Sequence, residues 1–438
     1  MAVVSNLIPA TAATDPHHAA AVAIIDLESL KVVASVRLPT GSTNVRGVTI
    51  SPDGATAYVV HTLGRFHLPT TQIARGWVIT NALSVIDLHK RELKATVLLD
   101  QTMDGAADPW GVAVDPQGKW LHITLSGVHQ LAILDLVGLQ QLISTAEPVE
   151  LANDLSALHR NALLRRIDLP IQGPRGVALS ADGSRVAVGG YFSGEVALLD
   201  GDGGNPRTLA LGPQPEASAV RQGERIYHDA SDCFQRWLSC ASCHPYARAD
   251  GLNWDLLNDG IGNPKNARSM LLSASTPPMM SLGVREKMET AVHAGFVHIQ
   301  FTEPKPADEK AVVAYIKSLK AAVSPYRERD GSLSKSAERG KKIFNRPAVA
   351  CASCHSAPLF TNLETVDVGT SGLLDQGATD FDTPTLREIW RTPPYLHDGR
   401  AATLREVLEI HNRGDKHGNT SSLKPQEIDD LVAYLLSL

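Results

Sequence analysis

Two stretches of the chain share the five residues Cys-Ala-Ser-Cys-His, at 240–244 and at 351–355. Two thiols at this spacing lie on one turn of a helix, where each can form a thioether to a vinyl group of a porphyrin. The adjacent imidazole is then close enough to bind the porphyrin iron. The pattern predicts two covalently attached c-type haems, held by Cys240, Cys243 and His244 and by Cys351, Cys354 and His355.

Other uses of paired cysteines fit this spacing less well. A zinc site would have its two cysteine pairs about 15–20 residues apart, whereas these motifs begin at residues 240 and 351. A thioredoxin-like redox pair does not explain the histidine that follows both motifs. The fifth cysteine, Cys233, is expected to be a buried apolar thiol rather than a catalytic one.

The sixth ligand of each iron sets what the haem can do. All six methionines precede Cys351, so the second haem can take no methionine from its own domain. Its nitrogen candidates are His397, His411 and His417. The first haem can stay open, as peroxide chemistry requires, or take one of Met270, Met279, Met280, Met288, His293 and His298.

The surroundings of the two motifs repeat as well. Gly-Glu-Arg-Ile-Tyr at 223–227 and Gly-Lys-Lys-Ile-Phe at 340–344 precede the motifs, and a Val-Ala-Tyr segment closes each unit. This repeat predicts two homologous all-α domains of the class I cytochrome c kind, at residues 214–330 and 331–438.

Residues 1–213 show the alternation typical of β-structure. An apolar strand followed by an Asp-Gly or Gln-Gly turn recurs at 47–54, 110–118 and 175–183. Repeated strand pairs indicate propeller blades, and the repeat resembles the YVTN-type β-propeller family. Because only about four blades fit, we expect an incomplete propeller, with an irregular β-sandwich as the alternative. The fold class expected is therefore multidomain, a partial all-β propeller followed by two all-α cytochrome c domains.

The composition narrows the choice of partners. The chain has 41 Lys+Arg against 47 Asp+Glu, a formal net charge of −6, and it contains no basic block. This balance disfavours nucleic acid and anionic membranes as partners, and no apolar run is long enough to predict a membrane span. The amino terminus lacks the pattern of a secretory signal, although c-type haems imply a periplasmic or otherwise exported protein. The signal is therefore expected to have been removed or to be missing, and the incomplete propeller favours a fragment that lacks its true beginning.

The helical half resembles the bacterial di-haem cytochrome c peroxidase family, including its MauG-like branch, over residues 216–438. The motifs that carry the resemblance, besides 351–355, are Asp-Thr-Pro-Thr-Leu-Arg at 382–387, Thr-Pro-Pro-Tyr-Leu-His-Asp-Gly at 392–399 and Ala-Thr-Leu at 402–404. In that family the distal ligand of the carboxy-terminal haem lies fourteen residues after the histidine of the Pro-Tyr-x-His-Asp-Gly segment, which is His397 in this chain. Counted from His397, this position is His411, so the resemblance implies a bis-histidine haem with His355 and His411 as ligands.

The resemblance also implies roles near the first haem. The peroxidases carry a distal histidine where this chain reads Asp-Gly-Ile-Gly at 259–262, which favours an open first iron. The family's catalytic acid or base matches Glu303, and its inter-haem calcium site matches Asn266, Thr392 and Pro394. The family's inter-haem tryptophan has no counterpart, and Trp254 and Trp390 are the candidates to replace it as electron relay or to serve only in packing.

Three functional hypotheses follow. The first is a periplasmic di-haem oxidoreductase that reduces hydrogen peroxide, or oxidises a protein or organic substrate as MauG-like enzymes do, with electrons from a small cytochrome or cupredoxin. The second is a non-catalytic di-haem electron carrier with a propeller docking module. The third makes the propeller the functional part and leaves the haems a structural role.

Overall fold

The computed structural model describes residues 1–68, 78–255 and 263–438. The chain forms two compact units. Unit 1 consists of Met1–Pro9, His17–Cys243 and Phe296–Pro304, and unit 2 of Ala10–Pro16, His244–Gly295 and Lys305–Leu438. The domain boundaries expected from the sequence, at 213/214 and 330/331, stay a prediction.

The described part of unit 1 is built mainly of antiparallel sheets. Strands β1–β3 form one three-stranded sheet, and β4–β7, β8–β11 and β12–β15 form three four-stranded sheets, each with consecutive strands as neighbours. The strands are β1 (Ala2–Ser5), β2 (Ala21–Asp26), β3 (Lys31–Arg37), β4 (Ser42–Ile50), β5 (Thr56–Gly64), β6 (Ile79–Asp87), β7 (Glu92–Leu98), β8 (Pro109–Val114), β9 (Trp120–Leu125), β10 (Gln130–Asp135), β11 (Leu164–Asp168), β12 (Pro174–Leu179), β13 (Arg185–Gly190), β14 (Glu195–Asp200) and β15 (Arg207–Ala210). The β-structure expected for this part of the chain is confirmed.

The repeated Gly-Val segment explains how neighbouring sheets approach each other. Gly47 on β4 and Gly111 on β8 lie against the backbone carbonyls of Trp110 and Arg175, on the first strand of the next sheet. A Cβ atom at either glycine would collide with that carbonyl. Glycine is therefore required where these strands pack face to face.

The cores between sheets come from the apolar positions of the alternating strands. Val22 and Ile24 of β2 share one buried cluster with Val59 of β5 and Ile86 of β6. The third and fourth sheets share a second cluster, which includes Ile133 and Val188. Buried and less buried side chains alternate along β2 and β13, as the sequence predicted, whereas β5, β6 and β10 are buried along almost their whole length.

The rest of unit 1 is helical or irregular. Three short helices, α1 (Leu136–Thr145), α2 (Pro148–Leu151) and α3 (Ala157–Arg160), lie between β10 and β11. After β15 come α4 (Ala219–Tyr227), a 3-10 turn at Phe234–Arg236 and α5 (Cys240–Cys243). Residues Phe296–Gln300 form a π-helical turn.

Unit 2 is mainly helical, as expected for this half of the chain. Its helices are α6 (Met288–Gly295), α7 (Pro306–Ser318), α8 (Lys335–Phe344), α9 (Cys351–Cys354), α10 (Leu404–Glu409) and α11 (Pro425–Leu436). Two short antiparallel pairs join β16 (Asn253–Trp254) to β17 (Lys265–Asn266) and β18 (Thr365–Asp367) to β19 (Asp380–Asp382). One hydrophobic cluster unites α8, α10 and α11 through side chains such as Phe344, Leu408 and Tyr434.

The helices that flank the two motifs begin in similar ways, and the two homologous domains expected from the sequence stay a prediction. Ser218 and Ser334 cap α4 and α8 by accepting a hydrogen bond from the backbone three residues on. Pro306 and Pro425 occupy the start of α7 and α11, where a missing N–H costs little. Within the described residues, no helix has the length and apolar character needed to cross a bilayer.

Candidate haem-binding site

The second Cys-Ala-Ser-Cys-His motif forms helix α9 and the residue after it. Cys351 and Cys354 are the two ends of this single turn, and Cys351 packs against the hydrophobic cluster of unit 2. Burial raises the pKa of the Cys351 thiol to about 11. The thiol is therefore protonated near neutral pH, which is the form that adds across a vinyl group. This arrangement fits the attachment of a porphyrin by two thioethers.

His355 is oriented as a metal ligand would be. Its Nδ1 lies 3.0 Å from the carbonyl oxygen of Phe360, and a carbonyl can only accept, so Nδ1 carries the proton. The lone pair of the neutral ring is then on Nε2, the atom that would bind iron. Burial lowers the pKa of His355 and keeps the ring neutral.

The imidazole that faces His355 is that of His417. The two ring centroids are 6.3 Å apart and the rings are inclined by 40°. Two metal–nitrogen bonds of about 2 Å, each extended by about 1.1 Å from nitrogen to ring centre, give almost the same separation. Burial, with a contribution from His355, lowers the pKa of His417 to about 4. The pair therefore fits a single iron held between two neutral imidazoles.

A compact loop holds His417 in this position. Asn412 Oδ1 accepts from the His417 backbone N–H at 2.8 Å, while its Nδ2 donates to the Gly418 carbonyl and to Thr420 Oγ1, both at 2.7 Å. Gly418 has φ +84°, and a Cβ there would lie 3.0 Å from the Val349 carbonyl oxygen. The close approach of this loop to the segment before α9 thus depends on glycine.

The other two histidine candidates lie in different surroundings. His411, the distal ligand implied by the family count, follows α10, and its backbone N–H donates to the Glu406 carbonyl. His397 stacks on Phe381 with centroids 3.7 Å apart, and its Nε2 lies 3.0 Å from Asp375 Oδ2. His397 is thus engaged by a carboxylate. The assignment of His411 stays a prediction, and the geometry favours His417.

The first motif forms helix α5 in unit 1. Burial raises the pKa of the Cys240 thiol to about 12, and Cys243 is also buried. Cys233 is buried as well, as expected, and burial raises the pKa of its thiol to about 11. The two motif cysteines lie on one turn, as in the second motif, so the donor set again fits a pair of thioethers.

His244, in unit 2, shows the same orientation as His355. Its Nδ1 lies 3.0 Å from the Arg248 carbonyl oxygen and 2.9 Å from that of Arg268. Because both partners can only accept, the proton is on Nδ1 and the lone pair on Nε2. Burial lowers the pKa of His244, which favours the neutral ligand form.

The candidates for the sixth position of the first iron are spread over both units. Met279 and Met288 are buried in unit 2, and His293 Nδ1 lies 2.6 Å from Glu309 Oε1. Glu303 is exposed in unit 1, in the loop after the π-helical turn that contains His298. The Asp-Gly-Ile-Gly segment at 259–262 lies outside the described residues. The open first iron and the role of Glu303 therefore stay predictions.

The predicted calcium ligands are near neighbours in unit 2. The Asn266 backbone N–H donates to the His397 carbonyl at 2.8 Å. Gly399 lies close to both Asn266 and Pro394, which joins the asparagine to the turn that contains Thr392. Asn266 Nδ2 donates to the Gly251 carbonyl at 2.9 Å, so its Oδ1 is the oxygen suited to a hard cation. The calcium site remains a prediction that this geometry fits.

A buried acid beside Trp254 was missed by the sequence reasoning. Asp250 has no exposed surface, and its carboxylate accepts from Trp254 Nε1 at 2.8 Å and from the Leu252 backbone at 2.9 Å. Burial raises the pKa of Asp250 to about 7. The only sequence signal was an aspartate four residues before a tryptophan, which is too common to single out.

Asp250 is expected to make unit 2 less stable as pH rises. Its folded pKa of about 7 exceeds the unfolded value of 3.8. Between these two values the unfolded chain holds fewer protons, so the free energy of unfolding falls with rising pH. Urea unfolding midpoints measured from pH 4 to pH 7 should fall more steeply for the wild type than for Asp250→Asn. Parallel profiles would contradict this assignment.

Comparison with known proteins places these features in a family. A family model described as Cytochrome c matches residues 337–438. Hydrazine synthase subunit gamma of Kuenenia stuttgartiensis is 34% identical over 278 residues, which cover 51% of this chain and 78% of that relative. Hydrazine synthase subunit beta of the same organism is 33% identical over 177 residues, 40% of this chain and 45% of the relative. Cytochrome-c peroxidase IdrP2 of Denitromonas iodatirespirans is 26% identical over 331 residues, 57% of this chain and 88% of the relative.

The match to subunit gamma spans most of that relative, and the carboxy-terminal region is a cytochrome c domain. MauG proteins are also among the relatives. The chain therefore belongs to the family of c-type haem redox proteins that includes the di-haem cytochrome c peroxidases, MauG and hydrazine synthase subunit gamma.

Proposed function

We propose that this chain is a di-haem redox enzyme, in which Cys240, Cys243 and His244 would hold the haem at which the substrate reacts, and Cys351, Cys354 and His355 would hold the haem that supplies electrons. The observation that carries the proposal is the His355–His417 pair, whose 6.3 Å separation suits one iron with both axial positions filled. An iron ligated on both faces exchanges electrons but has no position for a substrate. By this assignment the reaction belongs to the first motif.

The bound haems would supply electron exchange and, at an open iron, a place for a small ligand. The residues of this chain have the supporting tasks. Cys240, Cys243, Cys351 and Cys354 would fix the two porphyrins covalently, and the hydrogen bonds at Nδ1 of His244 and His355 orient the proximal imidazoles. Trp254, hydrogen-bonded to Asp250, is better supported as an electron relay than Trp390, since a buried acceptor can take the indole proton.

The reaction best supported is of the hydrazine synthase kind. Two hydrazine synthase subunits match this chain over longer stretches than a peroxidase of similar identity does: gamma at 34% over 278 residues and beta at 33% over 177, against 32% over 155 for cytochrome-c peroxidase IdrP1. We propose that the sheets of unit 1 correspond to the match with subunit beta and that the haem motifs correspond to the match with subunit gamma. A redox-neutral route to the product condenses ammonia with hydroxylamine, forming the N–N bond of hydrazine and releasing one water. This step takes up no net electrons, so electrons from the second haem would serve only to set the oxidation state of the first.

Peroxide chemistry is the second candidate. Peroxidases and MauG are relatives at 24% to 32% identity, and the resemblance of the helical half to this family is independent of the sheets. Hydrogen peroxide would take up two electrons and two protons and leave as two waters, with Glu303 moving a proton between its oxygens. In a MauG-like variant, the same oxidising equivalents would pass to a protein or organic substrate.

The remaining features complete the proposal. The sheets of unit 1 form a partial propeller that docks a partner, and the helical half contains two cytochrome c domains. Electrons come from a small cytochrome or cupredoxin, and the protein works in the periplasm or another exported location. A calcium ion at Asn266, Thr392 and Pro394 would stabilise the turn between the second motif and the chain terminus.

The proposal is tested by two assays on the holoprotein matured with haem. Incubation with ammonia and hydroxylamine should release hydrazine, and His244→Ala should reduce the rate to background because the first iron loses its proximal ligand. Peroxide turnover with a reduced dye is measured on the same samples, with Glu303→Gln expected to lower it about 100-fold or more if Glu303 is the acid or base. Hydrazine without peroxide turnover supports the first candidate, and the reverse supports the second. A redox-active protein inactive in both assays would be the electron carrier.

A further inference from the structure

The two identical Cys-Ala-Ser-Cys-His motifs are held in very different ways. Ser242 of the first motif is buried, whereas Ser353, the same residue in the second motif, is exposed and donates to acceptors on its own helical turn, the Ala350 carbonyl and Cys354 Sγ. The residue before the first cysteine also differs: it is Ser239 in one motif and Ala350 in the other. The first motif therefore has polar groups at two positions that the second leaves apolar or exposed.

Ser239 and Ser242 bind each other at the start of α5. Ser239 Oγ accepts from the Ala241 backbone N–H at 3.2 Å, and Ser242 Oγ accepts from the Ser239 backbone N–H at 3.0 Å. This reciprocal arrangement is that of a capping box, which satisfies backbone donors at a helix start. Each hydroxyl keeps its own proton to donate elsewhere.

Both serine hydroxyls donate to one carboxylate, that of Asp108, which directly precedes β8. Asp108 Oδ2 accepts from Ser239 Oγ at 2.6 Å, and Asp108 Oδ1 accepts from Ser242 Oγ at 3.0 Å. Asp108, Ser239 and Ser242 are each at most 2% exposed. Asn44 adds a third link, because its Nδ2 donates to the Ser242 carbonyl at 2.6 Å. Hydrogen bonds to a buried charged group are among the stronger ones in proteins.

Asn44 and Asp108 occupy the same position in two copies of the repeated strand–turn segment of unit 1. Asn44 and Asp108 each lie three residues before the repeat glycine, Gly47 or Gly111, and both have left-handed backbone conformations with φ of 53° and 56°. The corresponding residue of the next repeat is Gly173, with φ 60°. Asparagine, aspartate and glycine are the residues that tolerate this conformation best. The same turn of the repeat thus places two polar side chains against α5.

We propose that Asp108, with Asn44, is a positioning residue that holds the first haem-attachment helix through Ser239 and Ser242, so that the β-sheets of unit 1 set the properties of the first haem but not of the second. This inference rests on the proposed haem at the first motif. It gives the sheets a function besides docking, because they orient the helix that carries the two thioethers.

The test uses the holoprotein and reads each haem separately. Asp108→Asn, Asp108→Ala and Ser242→Ala are compared with the matched control Ser353→Ala in the second motif. The readouts are the midpoint potential and the EPR signal of each haem, with haem occupancy of the two motif peptides measured by mass spectrometry. Removing the carboxylate charge should raise the midpoint potential of the first haem, with a severalfold change in its oxidised-to-reduced ratio at fixed ambient potential. Asp108→Ala should act more strongly than Asp108→Asn, which keeps one acceptor oxygen.

The second haem should be unchanged in all four variants, and Ser353→Ala should leave both haems at wild-type values. Equal shifts of both haems, or wild-type values for the first haem in Asp108→Asn and Ser242→Ala, would overturn the inference. If an Asp108 variant does not fold, Ser242→Ala decides, since it keeps the charge and removes a single hydroxyl. A wild-type protein without haem on the first-motif peptide would overturn this inference together with the proposed function. With haem present there, unchanged variants overturn only the inference.

Discussion

Replacing His417 by alanine is expected to convert the second haem from low-spin to high-spin. The His417 ring lies 6.3 Å from that of His355, centre to centre, and lies opposite it across the space that one iron would fill. Without it the iron keeps a single axial imidazole, and the ligand field that pairs its electrons is lost. The EPR spectrum of the oxidised variant should lack the bis-imidazole low-spin signal entirely. The rate of electron transfer through the second haem should also fall, because the axial ligands determine its reduction potential.

His411→Ala is the matched control for this experiment. His411 is the position that the family count selects, and it lies six residues earlier in the same stretch after α10. We expect this variant to keep the low-spin signal of the wild type. The opposite pattern, in which His411→Ala removes the signal and His417→Ala preserves it, would contradict the assignment of His417 and restore the family position.

Replacing Arg248 by methionine is expected to lower the free energy of unfolding by about 3 kcal/mol. The buried Glu388 carboxylate would lose its bidentate partner and be left with the Ala322 N–H and, at 3.8 Å, Arg391 Nη1. Arg248 Nε and Nη2 meet Glu388 Oε2 and Oε1 at 2.5 and 2.9 Å, and the Glu388 side chain has no exposed surface. The Ala322 backbone N–H also donates to Glu388. This carboxylate thus joins three segments of unit 2 that are distant in sequence.

Urea unfolding of the holoprotein, followed by haem absorbance, measures the effect. Arg405→Ala is the control: on the surface Arg405 pairs with Glu409 at 2.9 Å and also with Asp429, and all three side chains are at least 40% exposed. Removing such a pair should cost about 0–1 kcal/mol. The double variant Arg248→Met with Glu388→Leu should lose less free energy of unfolding than Arg248→Met alone, because the buried carboxylate is removed together with its arginine. A loss below 1 kcal/mol for Arg248→Met would contradict the account of this pair.

Much of the fold could be predicted from local patterns. The alternating strands and their Asp-Gly or Gln-Gly turns account for the pairs β4–β5, β8–β9 and β12–β13, because strand alternation and turn chemistry are properties of neighbouring residues. The contacts between neighbouring sheets could not be predicted from local sequence patterns. The roles of Gly47 and Gly111 become clear only when the carbonyls of the next sheet lie against them. Likewise, nothing in the sequence near Asp108 indicates that a helix more than a hundred residues later rests on it.

The same distinction applies to the haem site at the second motif, where local spacing predicts the attachment residues but not the distal ligand. The spacing of Cys351, Cys354 and His355 predicts the attachment chemistry, since all the atoms involved lie on one helical turn. The distal side depends on the conformation of the loop at residues 412–420, which Asn412 and Gly418 determine. Sequence reasoning left three histidines open there, and the family count chose among them by distance along the chain. A count of this kind cannot register how a loop folds back toward α9.

The most direct test of the account is the EPR spectrum of the oxidised wild-type holoprotein. We expect one low-spin ferric signal of the bis-imidazole kind, from an iron between His355 and His417. We also expect one high-spin signal of similar intensity, from an open iron at the first motif. Two low-spin signals would contradict it, because neither iron would then have a position for a substrate and the protein would be an electron carrier.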